Sequence, residues 1–202
     1  MNDIFQNSLL SSIDVKQKLN NKFYLDNLKN FSDILVETIK NGNKLILCGN
    51  GGSCADAQHL AAELLVRLRP HINRNPLPAL ALALDTSTIT ACGNDFGFEN
   101  LFARNIDALG KSGDILICIS TSGNSKNIEL AAIKAKSKKI YVYGLLGGDG
   151  GKIKKVCDSY ILVPSDQTAR IQESHITIGH AIMEYVEDKL LQINFIKEEK
   201  CQ

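Results

Sequence analysis

The sequence lacks the features that mark several broad classes of protein. Basic and acidic side chains nearly cancel, with 23 Lys and Arg against 22 Asp and Glu, so no electrostatic footprint for nucleic acid is present. No apolar run approaches the roughly 20 residues that span a bilayer. The N-terminus has no basic start followed by an apolar stretch, so it does not resemble a secretory signal. We therefore expect a cytoplasmic protein with neither a nucleic-acid nor a membrane partner.

The cysteines also lack the spacing of a disulfide framework or a metal site. The six cysteines form no Cys-x-x-Cys pair. Cys48 and Cys118 lie inside apolar runs, where cysteine behaves as a small hydrophobic residue. We expect reduced, structural thiols.

The length and patterning predict one domain. The 202 residues can form one sizeable core but are too few for two ordinary domains, and no composition shift marks a boundary. Residues 1–42 are expected to form N-terminal helices and residues 43–196 an α/β core. In the N-terminal part, apolar residues recur at three- and four-residue intervals, which is typical of an amphipathic helix; they are Tyr24, Leu28, Phe31, Leu35 and Ile39.

Beyond residue 43 the pattern changes to short apolar runs of strand type. These runs are Lys44–Cys48, Leu77–Leu84, Asp114–Ser120, Lys139–Leu145 and Ser159–Pro164. Helical patterns separate most of them, most clearly at Ser53–Arg69, Ser125–Ser137 and Thr168–Ile193. Such alternation predicts a five-stranded parallel sheet covered on both faces, a three-layer α/β/α sandwich. Ligands of such sheets bind where the strands end at their carboxyl termini.

The first strand is followed by a glycine-rich loop, Gly49-Asn50-Gly51-Gly52-Ser53. Its glycines allow a sharp turn and close approach to a ligand, and the helix start offers free amides to an oxyanion. The loop lacks the third glycine of a dinucleotide fingerprint and the Gly-Lys-Ser/Thr of a nucleotide P-loop. A plain tight turn would explain the loop equally well.

The loop after the third strand run carries a stronger signal. Four hydroxyls and a glycine precede a helix in Ser120-Thr121-Ser122-Gly123-Asn124-Ser125. Hydroxyls, amides and the helix dipole can together hold a phosphate without a lysine. A helix N-cap alone would need only one hydroxyl. We therefore favour a phosphate site, and the missing nucleotide motifs favour a sugar phosphate.

Two helices carry polar groups that could do chemistry. His59 and Glu63 share a helix face at i,i+4 spacing, and Gln172, His175 and His180 lie on the C-terminal helix. Gln172 and His180 are about 80° apart around that helix, so both can project toward one cleft. Such groups could move protons, bind a metal, or do both, although any single histidine could be structural.

Together these segments closely resemble the phosphoheptose isomerases, which are sugar-isomerase (SIS) domain enzymes. The resemblance extends from about Phe5 to about Leu191. Four motifs carry it in order: GlyAsnGlyGlySer…AspAlaGlnHisLeuAlaAlaGluLeu, GlyAsnAspPheGlyPheGlu, SerThrSerGlyAsnSer and AlaArgIleGlnGluSerHis…His. These enzymes convert sedoheptulose 7-phosphate to D-glycero-D-manno-heptose 7-phosphate, the first step of heptose synthesis for lipopolysaccharide or capsule.

The resemblance implies a flavodoxin-like SIS fold with an N-terminal helical arm, a homotetramer with active sites between subunits, and one zinc ion per subunit. The implied zinc ligands are His59, Glu63, Gln172 and His180. The implied substrate contacts are Asn50, Gly51, Gly52, Glu63, Asn94, Asp95, Ser120, Thr121, Ser122, Ser125 and Gln172. Asp95, in an Asn94-Asp95 turn, could hold substrate hydroxyls, although a plain Asx turn would also explain it.

The reaction suggests catalytic roles for two of these residues. A ketose becomes an aldose through an enediol, which needs proton transfer at carbon and at oxygen. Glu63 is our candidate for the carbon proton and His180 for the partner acid/base. Competing hypotheses are a non-enzymatic relative similar to proteins that bind the bacterial replication initiator, a sugar-phosphate sensor, and an enzyme acting on an amino sugar.

Overall fold

A computed structural model describes residues 3–82 and 85–197. The α-helices of this part are α1 (Ile4–Leu19), α2 (Lys22–Lys40), α3 (Gly52–Leu65), α4 (Thr86–Asp95), α5 (Leu101–Leu109), α6 (Lys126–Ser137) and α7 (Thr168–Gln192). The strands are β1 (Leu45–Gly49), β2 (Ala79–Ala81), β3 (Ile115–Ser120), β4 (Tyr141–Gly147) and β5 (Ser159–Val163). Short 3-10 helices lie at Phe98–Asn100 and Ile153–Lys155.

The five strands form one parallel sheet in the order β2-β1-β3-β4-β5, which confirms the predicted α/β sandwich. Every residue of β1 and β3 is buried, because helices cover both faces. Leu45 and Leu47 pack toward α1, α2, α3 and α7, whereas Ile46 and Cys48 pack toward α4, α5 and α6. The apolar runs therefore supply two separate cores, one on each face of the sheet.

The strand order has its switch point between β1 and β3. From β1 the chain continues into α3 on one face, and from β3 it continues into α6 on the opposite face. The two connections diverge at neighbouring strand ends, and this switch point is where open α/β sheets bind ligands. Both predicted ligand loops begin here.

The N-terminal helices begin at side-chain caps. Asp3 Oδ1 accepts the amide of Phe5 at the start of α1, and Asn21 Oδ1 accepts the amide of Phe23 at the start of α2. The apolar face of α2 packs on the sheet, where Phe31 stacks on Tyr143 with ring centroids 3.7 Å apart. The predicted amphipathic helix is therefore confirmed.

Some boundaries and elements differ from the sequence predictions. Helix α3 ends at Leu65 rather than Arg69, and β2 is limited to Ala79–Ala81 within the predicted run. The end of that run, residues 83–84, lies outside the described residues. Helices α4 and α5 were not predicted, since their short polar and mixed sequences carry a weak periodic signal.

The cysteine prediction is confirmed for the part of the chain that the structure describes. Cys48, Cys54, Cys92, Cys118 and Cys157 are all free thiols, and Cys201 lies outside the described residues. Burial raises the pKa of the Cys157 thiol above its ordinary value, so this thiol stays protonated and unreactive. Among the helices of residues 3–82 and 85–197, none is long and apolar enough to cross a membrane.

Candidate active site

The glycine-rich loop joins the end of β1 to the start of α3 through a backbone that few side chains tolerate. Gly51 precedes α3 with φ +57° and ψ −121°. A Cβ on Gly49 would lie 2.3 Å from the carbonyl oxygen of Ser53, so the turn closes tightly. No side chain caps α3 at Gly51, and the amides of Ser53 and Cys54 donate to the carbonyls of Asn50 and Gly51 at 3.1 and 3.0 Å.

Two asparagines connect the glycine-rich loop to the start of α6. Asn50 Nδ2 donates to Asn127 Oδ1, and Asn127 Nδ2 donates to Asn50 Oδ1, both at 2.9 Å. This reciprocal amide pair joins residues 77 positions apart in the chain. It fixes the two loops side by side at the carboxyl ends of β1 and β3. Asn127 was not singled out from the sequence, because its partner is defined only by the fold.

The Ser/Thr loop forms a compact turn at the N-terminus of α6. Ser120 Oγ accepts the Gly123 amide at 3.1 Å and lies 3.4 Å from Ser125 Oγ. Ser122 Oγ accepts the Asn124 amide at 3.2 Å. Ser125 precedes the helix in an extended conformation without capping the α6 amides. The amide of Ile128 donates to Asn127 Oδ1 at 3.0 Å, so the amides before it at the helix start, together with the serine hydroxyls, are the groups that could donate to an anion.

A second glycine-rich segment, residues 147–151, packs directly against the Ser/Thr loop. Gly123 has φ +64°, and a Cβ there would lie 2.1 Å from the carbonyl oxygen of Gly150. The amide of Ile153 donates to the Gly123 carbonyl at 3.0 Å, and the amide of Lys152 donates to Asn124 Oδ1 at 3.3 Å. The close backbone packing holds the Ser/Thr loop in one conformation before any ligand binds.

Three of the four implied metal ligands converge between α3 and α7. His59 Nε2 lies 2.9 Å from His180 Nε2 and 3.1 Å from Glu63 Oε1. The two imidazoles meet edge to face, with ring centroids 5.1 Å apart. The ligand atoms of all three residues lie within 4.8 Å of one another. His59 is half exposed, whereas the Glu63 side chain is largely covered.

The donor set fits a divalent cation. One imidazole Nε2 carries either one hydrogen or one lone pair, so His59 cannot satisfy both His180 and Glu63 through that atom alone. Nitrogen ligands about 2.0 Å from a tetrahedral zinc ion are separated by about 3.3 Å, close to the observed spacing. Two imidazoles and a carboxylate therefore form a candidate metal-binding group.

Gln172, the fourth implied ligand, lies over the start of α3. A Cβ on Gly52 would lie 2.7 Å from Gln172 Nε2, so only glycine leaves room for this amide. Further along, a Cβ on Gly179 would lie 2.5 Å from Leu60 Cδ1. Two glycines thus let α3 and α7 approach closely, one beside Gln172 and the other directly before His180.

Asp56 is a candidate that the sequence analysis missed. Its Oδ2 atom is buried and has no hydrogen-bond partner among the residues that the structure describes. Burial raises the pKa of the Asp56 carboxyl, while the nearby His59 and His180 act in the opposite direction. Asp56 therefore lies within electrostatic reach of both histidines. The sequence signal available for Asp56 was its position three residues before His59, which puts both side chains on one face of α3.

The remaining candidates are not members of the candidate metal-binding group. Asn94 and Asp95 are exposed, and Asn94 Nδ2 donates to Asp95 Oδ1 at 2.7 Å. They end helix α4, so the predicted Asn-Asp turn is wrong: the amide of Phe96 still donates to the carbonyl of Cys92 as a helix end does. His175 is completely buried, and this burial lowers its pKa to about 4, so it is neutral near pH 7.

The chain matches known proteins along most of its length. Residues 13–147 match the model of the SIS domain family. A phosphoheptose isomerase of Clostridium acetobutylicum is 46% identical over 191 residues, covering 94% of this chain and 96% of the relative. One from Aneurinibacillus thermoaerophilus is 47% identical over 197 residues, covering 97% of this chain and 98% of the relative.

A solved structure shares both the sequence pattern and the fold. The phosphoheptose isomerase of Neisseria gonorrhoeae superposes with a TM-score of 0.85 at 39% identity, covering 91% of this chain and 97% of the other. The chain therefore belongs to the SIS domain family and, within it, to the phosphoheptose isomerases.

Proposed function

We propose that this protein interconverts sedoheptulose 7-phosphate and D-glycero-D-manno-heptose 7-phosphate. The observation that carries the proposal is the convergence of His59, Glu63 and His180, on helices next to a preformed Ser/Thr loop. Proton-transfer groups and an anion site in one protein are what a sugar-phosphate isomerase requires. An initiator-binding or sugar-sensing relative would need only the anion site and no proton-transfer groups.

The Ser/Thr loop would bind the phosphate of the substrate. Ser120, Thr121, Ser122 and Ser125 supply hydroxyls, and the first amides of α6 supply further donors along the helix dipole. The phosphate is remote from the reacting carbons, so its binding energy would serve to position them. Asn50, Gly51, Gly52, Asn94, Asp95 and Gln172 complete the proposed set of substrate contacts.

The reaction itself needs two kinds of proton transfer. A proton leaves C1 of the ketose and one returns to C2, while another moves from the C1 oxygen to the C2 oxygen. We assign the carbon proton to Glu63, whose carboxylate is largely covered and lies beside His59. His180 would move the oxygen proton, because its Nε2 faces the same space. The carboxylate and imidazole would thus form and collapse the enediol.

We further propose that His59, Glu63, Gln172 and His180 hold one zinc ion. The close approach of two Nε2 atoms and one carboxylate oxygen supports a cation among them. When bound, the ion would polarise the substrate oxygens and stabilise negative charge developing on them.

The test uses the full-length protein in deuterated buffer with sedoheptulose 7-phosphate. We expect an aldose phosphate that carries deuterium at C2, since an enediol acquires its C2 hydrogen from an exchanging group. Fructose 6-phosphate, one carbon shorter, is the control substrate and should turn over far more slowly. Absence of product, both after chelation and after zinc addition, would refute the proposed activity.

We also propose a single-domain subunit over residues 1–202 that assembles as a homotetramer in the cytoplasm, with active sites between subunits. Apolar side chains exposed on α1 support assembly; they are Ile4, Phe5, Leu9, Leu10 and Ile13. The free cysteines agree with a reducing compartment. Light scattering after size-exclusion chromatography should give four times the subunit mass of 22.1 kDa. A monomer at assay concentration would contradict this arrangement.

A further inference from the structure

A buried ion pair lies behind the candidate metal-binding group. Arg74 Nε donates to Glu187 Oε1 at 2.6 Å, and both side chains are only 1% exposed. Arg74 belongs to the irregular connection between α3 and β2, whereas Glu187 lies on α7. Burying two charges costs desolvation free energy that their attraction often only balances, so an apolar pair could serve stability equally well. The geometry of this pair suggests a different role.

The guanidinium of Arg74 also caps the C-terminus of α3. It donates from Nη2 to the carbonyl of Glu63 at 2.8 Å and from Nη1 to the carbonyl of Leu64 at 2.9 Å. Carbonyls in the last turn of a helix have no partner within the helix, and a cation there is favourable to its dipole. Glu63 is the residue whose carboxylate enters the candidate metal-binding group. Arg74 therefore holds the backbone from which that carboxylate extends.

Glu187 provides the corresponding connection on α7. It follows His180 by seven residues, which is about two helical turns and nearly the same face. Its second carboxylate oxygen accepts Arg69 Nε at 2.7 Å, so both oxygens are occupied by guanidinium groups. Directly before His180, at Gly179, no side chain separates the two helices, and α7 lies directly on Leu60.

We propose that Arg74 and Glu187 are positioning residues that set the separation of Glu63 on α3 from His180 on α7. This inference rests on the proposed function, because it concerns the metal site and proton-transfer groups of that reaction. Rigid spacing is needed because a metal site requires its ligands in one geometry and proton transfer requires hydrogen-bond distances. Contacts that orient metal ligands without touching the ion commonly control affinity and activity.

The test compares Glu187→Gln and Arg74→Lys with a matched control, Asp114→Asn. Asp114 is also 1% exposed and accepts Lys44 Nζ at 2.6 Å, but it precedes β3, at the opposite end of the sheet from the loops. Glu187→Gln weakens the ion pairs with both Arg69 and Arg74, Arg74→Lys weakens only the second of these, and Asp114→Asn weakens the pair with Lys44. Three quantities are measured: urea unfolding, zinc affinity of the metal-stripped protein against a chromophoric chelator, and kcat and KM for sedoheptulose 7-phosphate.

We expect Glu187→Gln to weaken zinc binding by about 10- to 100-fold and to lower kcat similarly, with KM nearly unchanged because the Ser/Thr loop is untouched. Asp114→Asn should lose stability yet keep wild-type zinc affinity and kcat. Arg74→Lys keeps the positive charge but loses the forked arrangement of donors, so we expect the same loss of zinc affinity and kcat. This variant tests the inference even if Glu187→Gln fails to fold.

Two outcomes would overturn the inference in distinguishable ways. If the wild type binds zinc and isomerises the substrate while Glu187→Gln or Arg74→Lys matches Asp114→Asn in zinc affinity and kcat, the positioning role is wrong. If the wild type neither binds zinc nor isomerises the substrate, the proposed function fails and this inference fails with it.

Discussion

Replacing Gly52 with alanine should separate activity from stability in this protein. Gly52 is the first residue of α3 and does not need a positive φ, so alanine fits the backbone there. Its Cβ would lie 2.7 Å from Gln172 Nε2, 3.2 Å from Cδ and 3.4 Å from Oε1. The clash falls on the end of a flexible side chain, so the helix can remain in place while the amide moves away.

The size of the effect follows from that displacement. An ordinary contact would require Gln172 Nε2 to retreat by about 0.8 Å, and a misplacement near 1 Å can cost about 100-fold in rate. This corresponds to a loss of about 2.7 kcal/mol of transition-state stabilisation in kcat/KM. Stability should change little or rise, because glycine is up to about 1 kcal/mol less favourable than alanine in a helix.

The assay measures kcat/KM for sedoheptulose 7-phosphate together with urea unfolding. Gly93→Ala is the matched control: Gly93 lies inside α4, and a Cβ there would meet nothing within 4 Å. It should keep wild-type activity with equal or higher stability. Full activity of Gly52→Ala would refute the argument that the position of Gln172 matters, and unfolding of this variant would show that the contact is rigid.

Three further predictions concern the proposed chemistry and the core. Glu63→Gln should lower kcat by about 100-fold or more at unchanged assembly, and steady-state turnover near the wild-type rate would exclude Glu63 as the proton-transfer group. Ser122→Ala combined with Ser125→Ala should chiefly raise KM for the phosphate ester, whereas a selective fall in kcat would mean that these hydroxyls position the reacting carbons. The pKa of His175 is lowered to about 4 from 6.5, so the stability linked to its neutral form is complete above pH 6.5 and lost as pH falls toward 4. The free energy of unfolding, measured by urea denaturation, should therefore fall by about 3 kcal/mol across this pH window. If the His175→Gln variant showed the same dependence of this free energy on pH, the assignment to His175 would be contradicted.

Several elements were predictable because local sequence determines them. The strands at Leu45–Gly49 and Ile115–Ser120 are continuous apolar runs, and only a sheet covered on both faces buries such runs completely. The two ligand loops could be located because each directly follows one of these strands. The shared face of His59 and Glu63 follows from helical spacing alone. These inferences needed no contact between distant parts of the chain.

Other elements were not predictable, because weak local signals or distant partners decide them. Helix α4 has few apolar residues, so its periodicity is faint and Asn94-Asp95 resembles a turn in sequence. The early end of α3 at Leu65 coincides with the carbonyl contacts of Arg74, which no propensity indicates. The electrostatic effect of His180 on Asp56 depends on how α7 packs beside α3.

Local sequence patterns therefore predict which chemical groups this protein presents and on which elements they lie. Which of these groups meet depends on the fold, because His59 and His180 are 121 residues apart in the chain and Arg74 and Glu187 are 113 apart. Their separations depend on the packing of α3 against α7, which Gly52 and Gly179 permit by having no side chain. Local spacing fixes directions along one helix, but the distance between two helices is set by the side chains packed between them.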